Sequence, residues 1–202
     1  MLVHGLWMHG LAFGLQRRRL LERGFDARSF SYPSVSGRLA DNARALADFV
    51  ATIEAPVIHL VGHSLGGLVI LCMLARHPDP RIRRVVLLGS PCGGSHCARV
   101  LQRVPLLRAI VGRSLLDWQD RPCLPPPPGV EIGVLAGDHG IGLGRLVPGL
   151  ARPNDGVVTV AETQLDEACD ALVLSLGHSQ MLWSMACLAQ LEAFLRMGRF
   201  SR

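Results

Sequence analysis

The sequence lacks any apolar stretch as long as a transmembrane helix, which needs about 20 consecutive apolar residues. Its first residues also lack the succession of basic leader, apolar core and cleavage site that marks a secretory signal, since the chain enters an apolar segment directly at Met1. Together these two absences favour a cytoplasmic protein.

Metal-binding patterns are missing as well. The six cysteines show no C-x-x-C spacing, and no cluster of His, Cys, Asp or Glu has the spacing of metal ligands. A chain of 202 residues can bury a sizeable core without disulfide staples, so we expect mostly reduced thiols. We therefore predict neither a metal nor a cofactor. The cysteines are Cys72, Cys92, Cys97, Cys123, Cys169 and Cys187.

Tyrosine is nearly absent and lysine wholly so. A single tyrosine among few aromatic residues argues against base stacking, and nothing resembles a nucleic-acid module, so we expect no nucleic-acid partner. All 21 basic residues are arginine, which we attribute to genome composition rather than to function. The net charge is +5, and eight arginines lie between Arg81 and Arg121 against two acids. This excess fits a solvated basic surface, or a face that meets anionic lipid or an acidic substrate.

What the sequence does contain is an alternation of apolar runs and helical patterns, typical of a parallel sheet covered by helices on both faces. No internal repeat or linker divides the chain, so we predict one α/β domain over residues 1–202 with about six strands in a mostly parallel sheet. The predicted strands are Met1–Val3, Phe25–Tyr32, Pro56–Gly62, Arg83–Leu88, Val130–Ala136 and Ala171–Leu176.

Helical periodicity separates these strands. The third helical segment is nearly all apolar and should be buried, and the fourth is interrupted at Pro105 and predicts two short helices. The last should place Met181, Met185, Leu188 and Leu195 on one face. A turn-rich stretch with four prolines, Pro125 to Pro128, leads into the fifth strand. The helical segments are Ala12–Arg23, Ser36–Ile53, Leu65–Arg76, Ala98–Leu116 and Ser179–Arg196.

The most specific pattern is Gly62-His63-Ser64-Leu65-Gly66-Gly67, a G-x-S-x-G sequence between a predicted strand and a predicted helix. In a nucleophile elbow, a sharp turn lifts the serine clear of the sheet, and the flanking glycines let strand and helix backbones pass closely. We predict that Ser64 is a nucleophile and that His63 points away from it into packing. The alternative is an ordinary turn with Ser64 as the helix N-cap.

A serine nucleophile needs a base, and the base needs an orienting group. In this architecture the histidine follows the acid along the chain and lies on a loop after the last strand. Of the histidines well beyond the elbow, only His178 has that context. Two aspartates compete for the acid: Asp138 ends a predicted strand, whereas Asp155 lies in an Asn-Asp-Gly turn. Spacing alone does not decide between them.

The transition state also needs donors for its oxyanion. One should be the amide of Leu65, directly after the nucleophile, and the other should come from the loop after the first strand. That loop reads His4-Gly5-Leu6-Trp7, and its glycine lets the backbone turn its amides toward the pocket. We predict the Leu6 amide as the second donor, with Trp7 as the alternative.

With these motifs, the chain resembles the α/β-hydrolase superfamily. It looks most like the small bacterial lipase/esterase branch, which includes proteins labelled similar to the GPI inositol-deacylase. The resemblance covers nearly the whole chain and implies Asp155 as the triad acid, because Asn154-Asp155-Gly156-Val157-Val158 matches the branch's Asp-Gly-Val-Val-type segment. It also implies that Gly89-Ser90-Pro91-Cys92-Gly93-Gly94-Ser95, similar to the family's Gly-Thr-Pro-x-x-Gly segment, lines the acyl pocket.

The chain departs from that pattern in two ways. It starts almost at the His-Gly strand, whereas most members have antiparallel strands before it. It also has no large insertion between Ser95 and Val130 to form a full cap domain, so the short helices of Ala98–Leu116 are the only lid candidate.

The resemblance implies a serine hydrolase that cleaves carboxylic esters of small molecules or lipids through an acyl-enzyme intermediate. Acyl transfer or thioester hydrolysis would use the same triad. A non-catalytic binding protein on a hydrolase scaffold is a further alternative, but such proteins usually lose a triad member. Leu106, Leu107, Ile110 and the neighbouring arginines would also suit peripheral contact with a membrane surface.

Overall fold

A computed structural model describes residues 1–120 and 126–202; the expectations that involve Arg121, Cys123 and Pro125 lie outside these residues. Within the described residues, six strands form one sheet in the order β2-β1-β3-β4-β5-β6, and every neighbouring pair is parallel. This confirms the predicted parallel sheet. The strands are β1 (Leu2–Val3), β2 (Ser29–Phe30), β3 (Ile58–His63), β4 (Ile82–Leu88), β5 (Glu131–Gly137) and β6 (Asp170–Leu174).

Alternate side chains of the central strands enter two separate cores. Val85 and Leu87 of β4 belong to one buried cluster, and Val86 and Leu88 belong to the other. Both faces of the strand are therefore covered, as its continuous apolar sequence predicts. Strand β2 is shorter than the predicted Phe25–Tyr32 because it lies at the sheet edge, where its only partner, β1, is itself two residues long.

The helices pack on these two faces. The cluster that contains Val85 includes α2 and α3, and the cluster that contains Val86 includes α1 and α7. Helix α3 begins and ends at the predicted residues and is buried over most of its length. None of the helices in the described ranges combines the length and the apolarity needed to cross a membrane. The helices are α1 (Gly14–Glu22), α2 (Leu39–Ala51), α3 (Leu65–Arg76), α4 (His96–Leu101), α5 (Pro105–Val111), α6 (Arg113–Asp120) and α7 (Met185–Met197).

Two helical predictions need correction. The segment predicted as two short helices forms α4, α5 and α6, because Gly112 adopts φ +78° between α5 and α6 and interrupts the helix there. The last helix begins at Met185 rather than Ser179, after a separate 3-10 turn over Ser179–Leu182. Ser184 starts it, since its hydroxyl accepts a hydrogen bond from the Cys187 amide at 3.3 Å. Met185 is therefore half exposed rather than on the buried face.

Because the strands are parallel, the loops that contain the predicted site residues lie at one edge of the sheet. Ser64 follows β3 directly, Gly89 follows β4, and the loop after β6 leads to His178. The His4–Trp7 loop leaves β1 at the same edge. In open parallel sheets, ligands bind at the carboxyl ends of the strands.

Candidate active site

Ser64 lies in a strained turn between β3 and α3. Its backbone has φ 53° and ψ −122°, a region that residues with a side chain rarely adopt. A Cβ on Gly62 would overlap the backbone of Gly67, and one on Gly66 would overlap the Val3 carbonyl oxygen. The glycines two residues before and after Ser64 are therefore required by close backbone contacts. Ser64 occupies the N-cap position of α3, but its side chain makes no capping hydrogen bond.

The structure places His178 beside Asp155. The His178 Nδ1–H donates to Asp155 Oδ2 at 2.6 Å, and both side chains are buried. The other carboxylate oxygen, Oδ1, accepts hydrogen bonds from the amides of Val157 at 2.9 Å and Val158 at 2.8 Å. The backbones are linked too, because the His178 amide donates to the Asp155 carbonyl at 2.8 Å. Both oxygens of this carboxylate are thus fixed, one toward the imidazole and one toward its own loop.

Asp138 lies apart from this pair. Its side chain is exposed and faces a different surface cavity, lined also by His139, Arg145 and Arg152. Asp155 instead occupies the space over the end of β5, where a Cβ on Gly137 would lie 2.8 Å from the Asp155 Cβ. The long loop after β5 therefore brings Asp155 back over the end of β5, whereas the Asp138 side chain is exposed at the surface.

Gly89 packs directly against the aspartate–histidine pair. A Cβ at this position would lie 3.0 Å from Asp155 Oδ2 and 3.1 Å from His178 Nδ1, and the residue adopts φ +55°. A side chain here would displace the hydrogen-bonded atoms. The resemblance implied that the Gly89–Ser95 segment lines an acyl pocket, and Pro91 and Ser95 do line the pocket described below. The contact of Gly89 with the pair has no signal in the local sequence.

The loop after β1 is held by a ring of hydrogen bonds between His4 and Tyr32. The Tyr32 hydroxyl donates to the His4 carbonyl at 2.7 Å, and the Tyr32 amide donates to His4 Nε2 at 3.3 Å. With Nε2 as an acceptor, His4 Nδ1 carries the hydrogen and donates to the Gly5 carbonyl at 2.8 Å. Because a trans peptide directs its N–H opposite to its C=O, the Leu6 amide faces away from the His4 ring.

Leu6 and Leu65 both line the pocket that contains Ser64 and His178. Gly5 is close to Ser64, since a Cβ on Gly5 would lie 3.1 Å from the Ser64 Cβ. Leu65 is the first residue of α3, so its amide has no acceptor within the helix. The two residues predicted as oxyanion donors, Leu6 and Leu65, therefore lie in the same pocket wall as Ser64.

The pocket has a volume of about 180 Å³ and an apolar lining. It lies between the loop after β1, the α4–α6 segment and the loop that contains Asp155. Ser64 and His178 both contribute to its wall. Its apolar side chains include Leu6, Trp7, Leu101, Val111, Leu115 and Leu143.

His63 takes part in this site in a way that sequence reasoning missed. It is buried, as predicted, but its Nε2–H also donates to the His178 carbonyl at 3.0 Å. Its Nδ1 has no hydrogen-bond partner among the described residues. Burial, with a smaller contribution from the neighbouring His178, lowers the pKa of His63 to about 3. The imidazole is therefore neutral in the folded protein.

Replacement of His63 by phenylalanine should reduce the loss of stability in mild acid. Unfolded His63 binds a proton below its ordinary pKa of 6.5, whereas folded His63 does not until about pH 3. A pH between these two values therefore favours unfolding of the wild type. For this one group, the free energy of unfolding falls by about 2 kcal/mol at pH 5. Urea unfolding at pH 7 and pH 5 should give a smaller stability difference for His63→Phe. An equal decrease in both proteins would contradict the neutral, buried state of His63.

Neither thiols nor metal ligands contribute a second reactive centre that the structure describes. Cys92, Cys97, Cys169 and Cys187 carry free thiols, as the expectation of mostly reduced cysteines requires. Burial raises the pKa of the Cys97 thiol, the one closest to the pocket, to about 11. Within residues 1–120 and 126–202, no group of three or more His, Cys, Asp or Glu could hold a metal ion.

The sequence matches the family model described as "Alpha/beta hydrolase family" over residues 1–151. That range includes strands β1 to β5 and the elbow at Ser64. None of the curated proteins compared with the chain is a significant match.

Several solved structures share the fold. A lipase from Bacillus licheniformis in its mature form has a TM-score of 0.79 and 20% identity, over 98% of this chain and 90% of that one. A metagenomic carboxyl esterase has a TM-score of 0.61 and 20% identity, over 88% and 63%. A methylesterase from Arabidopsis has a TM-score of 0.60 and 16% identity, over 96% of each chain. At these identities the likeness establishes the fold alone.

Proposed function

The chain belongs to the alpha/beta hydrolase family, and we propose that it is a serine hydrolase of carboxylic esters with Ser64, His178 and Asp155 as its triad. The observation that carries this proposal is the 2.6 Å hydrogen bond from His178 Nδ1 to the buried Asp155. A carboxylate that holds the Nδ1–H leaves Nε2 unprotonated, and Nε2 can then accept the proton of a serine hydroxyl.

In the first step, Ser64 Oγ attacks the ester carbonyl while His178 Nε2 takes its proton. The carbonyl oxygen becomes an oxyanion and accepts hydrogen bonds from the amides of Leu6 and Leu65. Each such donor typically stabilises the transition state by about 3 kcal/mol. His178 then protonates the leaving alcohol, and an acyl group remains on Ser64.

In the second step, water attacks the acyl-enzyme. His178 takes a proton from the water, the same amides bind the second oxyanion, and the proton returns to Ser64 as the carboxylic acid leaves. Asp155 stays ionised throughout and stabilises the imidazolium that forms in each half-reaction. The backbone hydrogen bonds from Val157 and Val158 keep the carboxylate in place during both steps.

The apolar lining of the pocket supports an acyl chain as the buried part of the substrate. The names of the structural neighbours, a lipase and two esterases, agree with small-molecule or lipid esters. The Asn154–Val158 segment supports the narrower assignment to the small bacterial lipase/esterase branch that includes GPI inositol-deacylase-like proteins. Both assignments are part of the proposal.

A series of p-nitrophenyl esters tests the proposal directly. The purified protein should hydrolyse them, and kcat/KM should rise from acetate to butyrate by roughly four-fold per methylene, because each buried methylene is worth about 0.8 kcal/mol. A fluorophosphonate probe should label the peptide that contains Ser64 and no other serine. Ser64→Ala is the matched control and should take up no label.

The absence of both turnover and labelling in a folded wild-type protein would refute the proposal. Acyl transfer would instead appear as an ester product when an alcohol is added with the substrate. A thioesterase would favour acyl thioesters over p-nitrophenyl esters of the same chain length.

A further inference from the structure

Large apolar side chains are exposed around the mouth of the pocket. Trp7 and Leu143, which line the pocket, are each more than half exposed to solvent. Just beyond them, Leu106 on α5 is 83% exposed and Leu146 is 81% exposed. Isolated exposed apolar residues are common on protein surfaces. Here the exposed side chains lie on segments that also contribute to the pocket wall, since Val111 of α5 and Leu143 both line the pocket.

The same segments carry unpaired positive charge. Residues 96–116 contain four arginines and no acid. Arg99 pairs with Glu162 at 3.4 Å. Arg103, Arg108 and Arg113 are exposed, and none has a carboxylate within ion-pair distance in the described part of the chain. Across the mouth, Arg145 lies between Leu143 and Leu146 and is equally exposed.

Two arginines at the opposite edge of the sheet differ from these because carboxylates pair with them. The basic excess over residues 81–121, which the sequence presents as one surface, is divided by the fold. Arg81 and Arg84, at the amino end of β4, pair with Asp79 and Glu131 at 2.6 Å each. Within residues 81–120, the arginines that lack such a partner, apart from Arg83, lie on the α4–α6 segment that forms part of the pocket wall. Uncompensated charge and exposed apolar groups therefore coincide on one surface of the protein.

We propose that this surface, which we call the mouth surface and define by Trp7, residues 103–113 and residues 143–146, docks on an anionic phospholipid bilayer. Apolar side chains enter the boundary between headgroups and acyl chains, and arginines bind the phosphates around them. This inference rests on the proposed function and narrows its substrates to ester lipids of an anionic membrane. Because the pocket opens within the mouth surface, a lipid can move from the bilayer toward Ser64 without crossing water.

Co-sedimentation with vesicles tests the docking. The full chain should bind vesicles of phosphatidylcholine and phosphatidylglycerol in equal amounts at least ten-fold more tightly than vesicles of phosphatidylcholine alone. Salt should weaken this binding, because it screens the arginines. The double substitution Arg103→Gln/Arg108→Gln should weaken it by roughly 30-fold, since each basic residue near an anionic surface contributes about five-fold. Leu106→Ser should weaken it several-fold.

The matched control is Arg83→Gln, which removes one exposed charge from the opposite edge of the sheet and should leave vesicle binding unchanged. Equal binding to both kinds of vesicle, no binding at low salt, or an effect of Arg83→Gln as large as that of the double substitution would each overturn the docking proposal.

Hydrolysis of p-nitrophenyl acetate in the same samples separates this inference from the proposed function. Neither the double substitution nor Leu106→Ser should change that activity, because these side chains lie outside the pocket wall. Vesicle binding without esterase activity would overturn the proposed function and support the docking surface. Esterase activity without vesicle binding would do the reverse.

Discussion

Ser64→Ala is expected to lower kcat for p-nitrophenyl esters by about 10⁶-fold, because removal of the nucleophile in a triad has an effect of that size. The residual rate should reflect only the oxyanion donors and the bound geometry of the substrate. The measurement is steady-state hydrolysis by the variant, with its folded state checked by circular dichroism. A loss of less than ten-fold would mean that another group attacks the ester.

The backbone of Ser64 adds a second, independent expectation. At φ 53° and ψ −122°, serine and alanine carry similar strain, whereas glycine adopts this region freely. Relief of strain of order 1–3 kcal/mol, set against about 0.5–1 kcal/mol for the greater freedom of glycine in the unfolded chain, favours the glycine variant. Ser64→Gly should therefore be about 1–2 kcal/mol more stable than Ser64→Ala in urea unfolding. The reverse order would show that the turn is not strained.

The elbow could be predicted because most of its determinants are local. The strained turn at Ser64 and the close contact of Gly62 with Gly67 lie within six residues, whereas Gly66 contacts the Val3 carbonyl oxygen of β1. The limits of α3 were predicted correctly for the same reason, since an unbroken apolar run begins after Ser64 and ends at Arg76. The sheet was predicted from alternation of strands and helices, although its edge strands were placed with less success because their length depends on a partner.

Contacts between distant segments could not be predicted. The 3-10 turn before α7 is held by Gln16, whose Nε2 donates to the Met181 carbonyl at 3.0 Å across 165 positions of the chain. The contact of Gly89 with Asp155 and His178, and the hydrogen bonds of His4 with Tyr32, are of the same kind. Each joins segments that are distant in the chain, so no sequence window contains both partners. The hydrogen bond from His63 to the His178 carbonyl also belongs to this class.

The two candidate acids, Asp138 and Asp155, illustrate the difference between what local sequence and distant contacts can predict. The rule that site residues follow strand ends favours Asp138, which directly follows β5. Gly137 explains how Asp155 can also lie at the end of β5, since the absence of a side chain there leaves room for the later loop that carries Asp155. The resemblance to a family segment favoured Asp155 without this geometry.

Asp155→Asn is expected to lower kcat by about 10⁴-fold with little change in fold. The side-chain oxygen of the new residue should stay at the Oδ1 position, because two backbone amides donate to it at 2.8 and 2.9 Å. Its NH₂ group must then face His178 Nδ1, where it can only donate. His178 would be forced to accept at Nδ1 and to carry its proton on Nε2, so it could no longer take the proton of Ser64.

Asp138→Asn is the matched control for this prediction. It makes the same chemical change at an exposed side chain that borders a separate cavity, so kcat should stay within about two-fold of the wild type if the assignment is right. Steady-state hydrolysis of one p-nitrophenyl ester by both variants decides the matter. A large loss at Asp138 with little loss at Asp155 would transfer the role of the acid to the residue at the end of β5. Comparable small losses at both would imply that His178 needs no carboxylate, and the buried hydrogen bond at 2.6 Å would then stabilise the loop rather than orient a base.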